Sequence, residues 1–515
     1  MAPPTTPTQP PVHGTSGNRG IESPPSSVLI KGRFGRMFRQ LPVFELAGPG
    51  GDATLKNELH ALAAQMVQDA EPDKPLDAED EDQNPDIPAG YTYLGQFVDH
   101  DITFDPVSSL ERQNDPDALE DFRTPRFDLD SVYGRGPGDQ PYLYQLDDPV
   151  KLRLGREVSG QTEFAGPDLP RGQGDPRALI GDPRNDENLV VSQLQSTVLR
   201  FHNVVVDKVR ADGFEGDDAF KEAQRRVRWH YQWIVVNDFL PRIVGPEIVK
   251  DIMREETFAV SHRHGQGFRR QEHQIRKPRL LFYRWQDQPF MPVEFSVAAY
   301  RYGHSMVRPS YFFNDRVRQA TQPKRTPIFS SDRSLGNKVN LNGFRPLPDD
   351  WGFQWKYFFP VSNEPHLPQP SYRIDDELVN PLGDLPVDPP EPGLTSLAER
   401  NLLRGLRLSL PSGQSVSRAM GIEPLTDAEL DLGGVAPSFV GHAPLWYYVL
   451  REARVRCDGR RLGPVGGRIV AEVLIGLLVG DPLSYINVEP NWVPDLGATA
   501  EVFTMADLIK VAGAA

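Results

Sequence analysis

Cysteine is almost absent from the sequence, since Cys457 is the only one among 515 residues. Because a disulfide needs two cysteines, an internal disulfide framework is excluded. This composition suits a protein of a reducing compartment, and equally a secreted protein that folds without disulfides. The cysteine count therefore leaves the compartment open.

Long apolar runs are absent as well. No stretch approaches the roughly 18 uninterrupted apolar residues that indicate a membrane-spanning helix. The first residues, MAPP, are not a charged segment followed by an apolar one, which a secretory signal would require. We expect neither a transmembrane segment nor a signal peptide, so a cytoplasmic location and export by a signal-independent route both stay open.

Positive charge is in deficit, with 56 lysines and arginines against 71 aspartates and glutamates and a formal net charge of −15. Nucleic acids and anionic membranes are bound through basic surfaces, so neither is expected as the main partner. His262, His264 and His273 stand together in a basic stretch without the spacing of a zinc site. We interpret this stretch as a basic loop.

The chain does contain enough apolar material, 38% of its residues, to bury a sizeable core. Residues 1–27 are rich in Pro, Thr, Ser and Gly, which predicts a disordered tail. The fold is expected to cover residues 28–515. Within it, the acidic, proline-containing run at 69–88 predicts a solvated connection.

Apolar residues with a period near 3.6 predict several long helices, and Pro241 is expected to end the helix that precedes it. Strand-like alternation is scarce, and loops rich in Pro and Gly, chiefly 342–395, separate the helices. We predict a mostly α fold, with one large domain, a helical core and long irregular loops. The predicted helices cover residues 53–68, 186–212, 217–240, 294–307, 397–408 and 466–480.

The most informative stretch is QFVDHD, residues 96–101. On a helix, Gln96, Asp99 and His100 project together, because they are three and four residues apart, while Asp101 points about a quarter-turn away. Apolar neighbours indicate that this helix enters a core, where two carboxylates and an imidazole need partners. A capped surface helix with scattered polar residues would also have such a sequence.

A second histidine, His304, lies in a segment of small residues, and Gly303 beside it leaves room for a flat group. Haem iron takes one imidazole and leaves its opposite face to a reactant. Two histidines on separate helices, one bonded to iron and one acting as acid and base, would therefore suit a peroxidase. A hydrogen-bonded core histidine explains His304 as well.

Two further segments carry charged groups at informative positions. Residues 181–188, GDPRNDEN, hold Arg184, whose guanidinium near His100 could stabilise the charge formed when an O–O bond breaks. A helix N-cap explains these residues too. Residues 124–130, TPRFDLD, offer hydroxyl and carboxylate oxygens at alternate positions, as Ca²⁺ prefers. The glycine and terminal glutamate of an EF-hand loop are missing.

Together, these four segments resemble the animal-type haem peroxidases of the peroxidase-cyclooxygenase superfamily, which includes myeloperoxidase and lactoperoxidase. The resemblance runs from about residue 85 to 480. It implies a haem peroxidase domain with haem b and Ca²⁺ as cofactors. The single cysteine makes the chain more similar to the bacterial branch than to the disulfide-rich, secreted animal members.

On the distal side, residues 95–101 resemble the distal helix of the family. The resemblance implies that His100 is the acid and base, that Gln96 lies near the bound peroxide or halide, and that Asp99 is placed for an ester bond to the haem.

Residues 184–188 extend the resemblance on the same side. Arg184 matches the distal arginine and Glu187 the second carboxylate available for an ester. Asn188 stands where myeloperoxidase has methionine, so a third, sulfonium link is expected to be missing.

On the proximal side, His304 in YRYGH resembles the ligand of the haem iron. Asn401 in RNLLRGLR matches the asparagine that accepts the proton of the proximal Nδ1, which would orient the ring and raise its basicity. Arg404 resembles a partner of a haem propionate.

The calcium ligands are also implied by the resemblance. Asp101 matches the aspartate that the family gives to calcium. The remaining ligands would be Thr124, Arg126 through its backbone carbonyl, Asp128 and Asp130. The family often has serine where Asp130 stands, so the charge of this site is altered.

The resemblance implies an enzyme that reduces hydrogen peroxide and oxidises a small organic donor or a halide. A haem-dependent fatty-acid dioxygenase is an alternative, although Arg301 stands where cyclooxygenases have their radical tyrosine. A binding protein with a degenerate peroxidase domain is another, but it would not need to keep His100, Arg184 and His304 together. The donor and the oligomeric state stay open.

Overall fold

The structure, a computed structural model, describes most of the chain. The described residues are 32–42, 51–70, 80–103, 120–121, 123–158, 166–264, 267–276, 278–285, 288–318, 325–329, 340–364, 366–385, 394–499 and 501–515. The predicted tail at residues 1–27 lies outside them.

Helices form the framework, so the predicted mostly α fold is confirmed. The α-helices are α1 (Gly51–Met66), α2 (Gly90–Ile102), α3 (Asp130–Tyr133), α4 (Leu189–Ala211), α5 (Gly216–Ile234), α6 (Leu240–Val244), α7 (Pro246–Ile252), α8 (Asp315–Arg318), α9 (Leu397–Arg407), α10 (Gly413–Ala419), α11 (Asp427–Leu430), α12 (Leu445–Cys457), α13 (Pro464–Gly480), α14 (Tyr485–Val488) and α15 (Met505–Val511).

Within the described residues, the strands form one sheet of three strands and three sheets of two. They are β1 (Gly32–Gly35), β2 (Gln83–Pro88), β3 (Glu120–Asp121), β4 (Glu255–His264), β5 (Gly267–Arg276), β6 (Met291–Pro292), β7 (Ser310–Tyr311), β8 (Thr326–Pro327) and β9 (Pro370–Tyr372). β1 lies between β3 and β6, antiparallel to the first and parallel to the second. The pairs β2–β9, β4–β5 and β7–β8 are antiparallel.

Helix α2, which carries the QFVDHD stretch, lies in the core against α4, as its apolar residues predict. Leu94, Phe97 and Val98 are almost completely buried, and each such side chain contributes about 1.5–3 kcal/mol. Gly90 begins the helix where no side chain fits, because a Cβ atom there would lie 2.5 Å from the carbonyl oxygen of Phe358.

The segment before α4 is a pair of helix caps. Asp182 accepts a hydrogen bond of 2.9 Å from the Arg184 amide and starts the 3-10 turn Pro183–Asp186. Asn188 accepts one of 2.9 Å from the Val191 amide and starts α4. These caps satisfy N–H groups that would otherwise lack partners. They also fix Glu187 between the two elements.

The segment that ends at His304 is helical but not α-helical. A π-turn, Glu294–Ala298, is followed by the 3-10 helix Ala299–His304, and both pack against α12 and α13. The buried Glu294 carboxylate accepts hydrogen bonds from the amides of Met37 (2.9 Å) and Phe38 (3.0 Å). The segment is thereby tied to the chain that follows β1.

Three expectations about the fold are wrong. Pro241 does not end a helix, because it is the second residue of α6, where its missing N–H costs nothing; α6 ends at Gly245, which has φ of +88°. The end of the expected connection at 69–88 is strand β2, paired with β9. The histidines expected in a basic loop lie on strands β4 and β5.

Within the described ranges, no helix combines the length and the apolar character needed to cross a membrane.

Candidate active site

A cavity of about 580 Å³ lies between α2 and the 3-10 helix Ala299–His304. Cavities of roughly 300–1,000 Å³ are typical of small-molecule and cofactor sites. Both predicted histidines border it, His100 from α2 and His304 from the opposite side. The other predicted site residues on its wall are Gln96, Asp99 and Glu187.

The polar groups on the α2 side form one connected set. The Gln96 amide donates a hydrogen bond to a carboxylate oxygen of Glu187 and accepts one of 3.1 Å from Asn188. The same Glu187 oxygen lies 3.9 Å from His100 Nε2. A small molecule here would meet an imidazole, an amide and a carboxyl group side by side.

Both carboxyl groups on this wall belong to residues expected to form esters. Loss of solvation in the cavity raises the pKa of Glu187, although the charges of His100 and Arg184 oppose the shift. Asp99 accepts a hydrogen bond of 3.0 Å from the Thr103 hydroxyl. The surroundings of the two carboxyl groups thus differ, because Asp99 has a hydrogen-bond donor in Thr103 and Glu187 has its pKa raised by burial.

Arg184 lies beside His100 but does not border the cavity. Its guanidinium donates hydrogen bonds to the backbone oxygens of His100 (2.9 Å) and Thr103 (2.7 Å) and pairs with Asp182 at 2.8 Å. Burial raises the pKa of Asp182, but Arg123 and Arg184 outweigh it and hold this pKa well below its usual range. Its carboxylate partner thus holds the guanidinium against the backbone of α2, beside His100 and not on the cavity wall.

On the opposite wall, His304 is a neutral imidazole held at one nitrogen. Burial, assisted by the charge of Arg301, lowers the pKa of His304 to about 3. Its Nδ1 lies 2.8 Å from Asn401 Nδ2 on α9, as the resemblance predicts for the contact itself. A neutral imidazole beside a cavity is what a metal ligand requires.

The direction of this contact is opposite to the expected one. Arg301 donates a hydrogen bond of 3.1 Å to Asn401 Oδ1, which leaves the amide N–H facing His304. Asn401 therefore donates where it was expected to accept. Binding of a metal at Nε2 would place a proton on Nδ1, and the amide would then have to present its oxygen. Arg404 lies one turn further along α9 and, like Asn401, does not border the cavity.

A third set of groups lies on the other face of α2. Carboxylate oxygens of Asp101, Asp128 and Asp130 are all within 4.8 Å of one another, and all three residues are buried. One oxygen of Asp101 has no hydrogen-bond partner. Burial, followed by the charges of the other two, raises the pKa of Asp101 strongly. Three buried carboxylates at this distance suit a divalent cation with oxygen ligands.

The remaining predicted ligands are in the same loop. The Thr124 hydroxyl donates a hydrogen bond of 2.5 Å to Asp128, and the Arg126 amide bonds to the Thr124 carbonyl at 2.8 Å. Asp130 also pairs with Arg123 at 3.0 Å. This pair offsets part of the additional negative charge that Asp130 brings where serine is more usual.

Sequence reasoning missed an aromatic residue at the mouth of the cavity. Phe344 borders the cavity, is 57% exposed and has φ of +52°. Its amide and that of Gly343 bond to the carbonyl oxygens of Asp186 (2.6 Å) and Glu187 (3.0 Å). The dipeptide Asn342–Gly343 indicates a turn, but nothing local shows that this turn packs against Glu187.

The chain is similar to known proteins over different lengths. Residues 120–347 match the family model described as animal haem peroxidase. Mouse thyroid peroxidase is 24% identical over 414 residues, which are 76% of this chain and 41% of that protein. The chain spans less than half the length of the curated relatives it matches.

Solved structures share the fold. Peroxidase A of Dictyostelium discoideum superposes with a TM-score of 0.57 and 16% identity, over 94% of this chain and 93% of that one. The fatty acid α-dioxygenase of Arabidopsis thaliana gives 0.56 and 14%, over 92% and 75%.

These similarities agree with the cavity between two histidines. The family binds haem, and the residues here fit such a group, since His304 offers a neutral imidazole beside a cavity of sufficient size. The matched segment contains Arg184, Glu187 and His304, whereas α2 with His100 precedes it. Residues 120–347 thus match the animal haem peroxidase family, and the fold of the described residues is shared with peroxidase A.

Proposed function

We propose that this protein is a haem peroxidase that reduces hydrogen peroxide and oxidises small organic donors or halides. One observation carries the proposal: a single cavity is bordered by His304, with its Nδ1 held by Asn401, and by His100, with its Nε2 toward a carboxyl group. A reaction that needs a metal ligand on one side and an acid/base on the other fits this arrangement.

Five residues would hold the haem. His304 would ligate the iron through Nε2, and Asn401 would hold the ring by Nδ1. Asp99 and Glu187 would form esters with haem b, and Arg404 would pair with a propionate. Asn188 offers no sulfur for a further link. Bound haem supplies the iron and the ring system that take two electrons from the donors and pass them to peroxide.

The chain's own groups would handle the protons of peroxide. His100 would take a proton from one oxygen of hydrogen peroxide and give it to the other. The second oxygen would then leave as water when the O–O bond breaks. Gln96 would orient the peroxide, since its amide lies beside the same carboxyl group. Arg184, held 2.9 Å from the His100 carbonyl, would act by its field and by fixing α2.

The mouth of the cavity supports small aromatic compounds among the donors. Phe344 exposes most of its ring there, and Phe329, Ile328 and Leu385 add apolar surface. An aromatic donor could stack on Phe344 while its hydroxyl points toward the polar wall. Halides remain candidates, because Gln96 and His100 are accessible from the cavity.

We also propose that Asp101, Thr124, Asp128, Asp130 and the carbonyl of Arg126 bind Ca²⁺. The support is the mutual distance of the three carboxylates and the unpartnered oxygen of Asp101. The cation would neutralise charge that the core otherwise has to bury.

The first experiment is an absorption spectrum of protein expressed with sufficient haem, together with peroxide-dependent oxidation of guaiacol and of iodide. The parent should show a Soret band and oxidise at least one donor, and His304→Ala should lose both properties. His60→Ala is the matched control, because His60 is a surface histidine with a 68% exposed side chain. A parent without a Soret band, or a His304→Ala variant with an unchanged band and activity, would overturn the proposal.

A second assay separates the competing enzyme class. Linoleate and O₂ are supplied without peroxide, and oxygenated products are sought. The expected result is none, because Arg301 occupies the place of the cyclooxygenase tyrosine and bonds to Asn401. Oxygenated fatty acid without guaiacol oxidation would favour a dioxygenase.

A further inference from the structure

A chain of buried amides connects His100 to the backbone of α3 at Ser131. His100 Nδ1 lies 2.8 Å from Asn185 Oδ1, Asn185 Nδ2 lies 2.9 Å from Gln195 Oε1, and Gln195 Nε2 lies 3.2 Å from the carbonyl oxygen of Ser131. Asn185, Gln195 and Ser131 have no exposed surface, and His100 is 5% exposed. Bulk water therefore does not compete for these bonds.

The direction of every bond in this chain follows from its last member. A backbone carbonyl can only accept, so Gln195 must present its NH₂ to Ser131 and its oxygen to Asn185. Asn185 must then present its NH₂ to Gln195 and its oxygen to His100. An amide oxygen can only accept, so the proton of a neutral His100 has to be on Nδ1.

We propose that Asn185 and Gln195 are positioning residues that hold His100 in its Nδ1–H tautomer, with the lone pair of Nε2 facing the cavity. The inference rests on the proposed function, because it concerns how the distal base is prepared. Only an imidazole with a free Nε2 can take a proton from peroxide in the cavity. A free imidazole carries its proton on either nitrogen, so a partner has to decide between them.

The other groups near His100 do not select the Nδ1–H tautomer. Arg184 bonds to the backbone oxygen of His100 and does not touch the ring in this contact. The Glu187 oxygen, 3.9 Å from Nε2, would favour a proton on the cavity side. The bond to Asn185 is shorter by 1.1 Å. The two groups thus favour different tautomers: Asn185 favours the proton on Nδ1, and Glu187 favours it on Nε2.

The anchor of the chain lies next to the proposed cation site, because Ser131 follows Asp130 directly. The segment that holds Asp128 and Asp130 thereby also supplies the carbonyl that sets the direction of the amide hydrogen bonds. Two routes lead from this segment to the distal side, one through Asp101 on α2 and one through Gln195 on α4.

The test compares Asn185→Leu, Asn185→Asp and Gln195→Leu in haem-loaded protein. Leucine removes the amide and has as many side-chain heavy atoms as asparagine and one fewer than glutamine, whereas aspartate keeps an oxygen that accepts from Nδ1. The matched control is Thr197→Val, because Thr197 is buried on α4 and accepts a hydrogen bond of 3.0 Å from Trp355 outside the amide chain. Stopped-flow absorption measures the rate with hydrogen peroxide, and His100→Gln provides the reference loss.

Two further readouts do not depend on turnover. Hydrogen cyanide has to give its proton to a base as cyanide binds iron, so its association rate reports the free lone pair of Nε2. In haem-free, ¹⁵N-histidine-labelled protein, NMR distinguishes the two tautomers of His100, whose signal is assigned by its loss in His100→Gln.

We expect Asn185→Leu to slow both the peroxide and the cyanide reactions by about tenfold or more, toward the loss of about 10²–10⁴-fold expected for His100→Gln. The rates of Gln195→Leu should lie between those of Asn185→Leu and the parent. Asn185→Asp should keep most of the parent's rate, and Thr197→Val should react as fast as the parent. The NMR signal should show Nδ1–H in the parent and Asn185→Asp, and a mixture in Asn185→Leu.

Equal rates in Asn185→Leu and the parent, with His100→Gln impaired, would overturn the inference and leave the proposed function standing. An unimpaired His100→Gln would instead refute the proposed role of His100. If Asn185→Leu does not fold, the inference is tested by the reaction rates of Gln195→Leu and by the NMR signal of His100 in the parent. A proton on Nε2 of His100 in the parent would refute the inference.

Discussion

The cluster of Asp101, Asp128 and Asp130 permits a prediction in which one substitution has opposite effects with and without calcium. Asp101→Asn removes one of three buried carboxylates whose oxygens lie within 4.8 Å of one another. Two charges at that distance repel by about 3.5 kcal/mol at an effective dielectric constant of 20. Asp101 takes part in two such pairs, and counter-charges such as Arg123 offset part of the repulsion, so we expect about 2–3 kcal/mol.

Without a cation, Asp101→Asn should therefore be more stable than the parent, since the amide needs neither a buried charge nor the uptake of a proton that removes it. With Ca²⁺ the order should reverse, because the variant has lost a ligand. An unfolding entropy of roughly 2.1 cal/mol/K per residue converts 1 kcal/mol into about 1 °C for a chain of this length. The expected shifts are thus about 2–3 °C in each direction, within reach of scanning calorimetry at a fixed scan rate.

The assay compares both proteins after dialysis against EDTA and after addition of CaCl₂, with MgCl₂ as the control cation. The Soret band is recorded in parallel, because α2 carries Asp101 on one face and His100 on the other. Parent protein that unfolds at the same temperature in EDTA and in Ca²⁺ would refute the reasoning. So would an Asp101→Asn variant that is less stable than the parent under both conditions.

Burial raises the pKa of Glu452 to about 7, so the folded state holds this proton more tightly than the unfolded state. The free energy of unfolding should therefore fall by about 3 kcal/mol as the pH rises from 4.5 to above 7. Urea titrations at several pH values should show a smaller fall in Glu452→Gln. Phe344→Ala should raise the KM for an aromatic donor about two- to tenfold and leave that for iodide unchanged, with the remote, exposed Phe214→Ala as control; equal effects on both donors would contradict stacking at the mouth. Acidified acetone should release no haem from the parent and release it from a double variant Asp99→Asn, Glu187→Gln, whereas free release from the parent would show that neither ester forms.

Periodicity predicted most of the helices because it records which side of a segment is buried. Helices α1, α4, α9 and α13 begin and end within a few residues of the predicted limits. The same signal does not record how the backbone is hydrogen-bonded. The segment that ends at His304 has the apolar pattern of a helix, yet it folds as a π-turn and a 3-10 helix. Strand β2 has no apolar alternation, since its pairing with β9 defines it.

Within the site, the sequence predicted which residues share a helix face, but it did not predict their hydrogen-bond partners. The spacing of Gln96, Asp99 and His100 places them on one wall of the cavity, and Asp101 on the other face of α2, because residues three and four apart share a helix face. Resemblance to a known family added the opposite wall with His304.

Tertiary structure alone decided which group each polar side chain meets. Asp182 draws Arg184 away from the cavity, Arg301 turns the amide of Asn401, and the carbonyl of Ser131 orients two amides toward His100. The bonds of Arg301 to Asn401 and of Gln195 to Ser131 join elements that are distant in the chain. Arg184 pairs with a near neighbour in the sequence, but its bond to the His100 carbonyl also joins distant elements. A sequence determines which hydrogen-bonding groups are buried, but their directions are set where the elements pack, because every buried donor must then find the acceptor that is left.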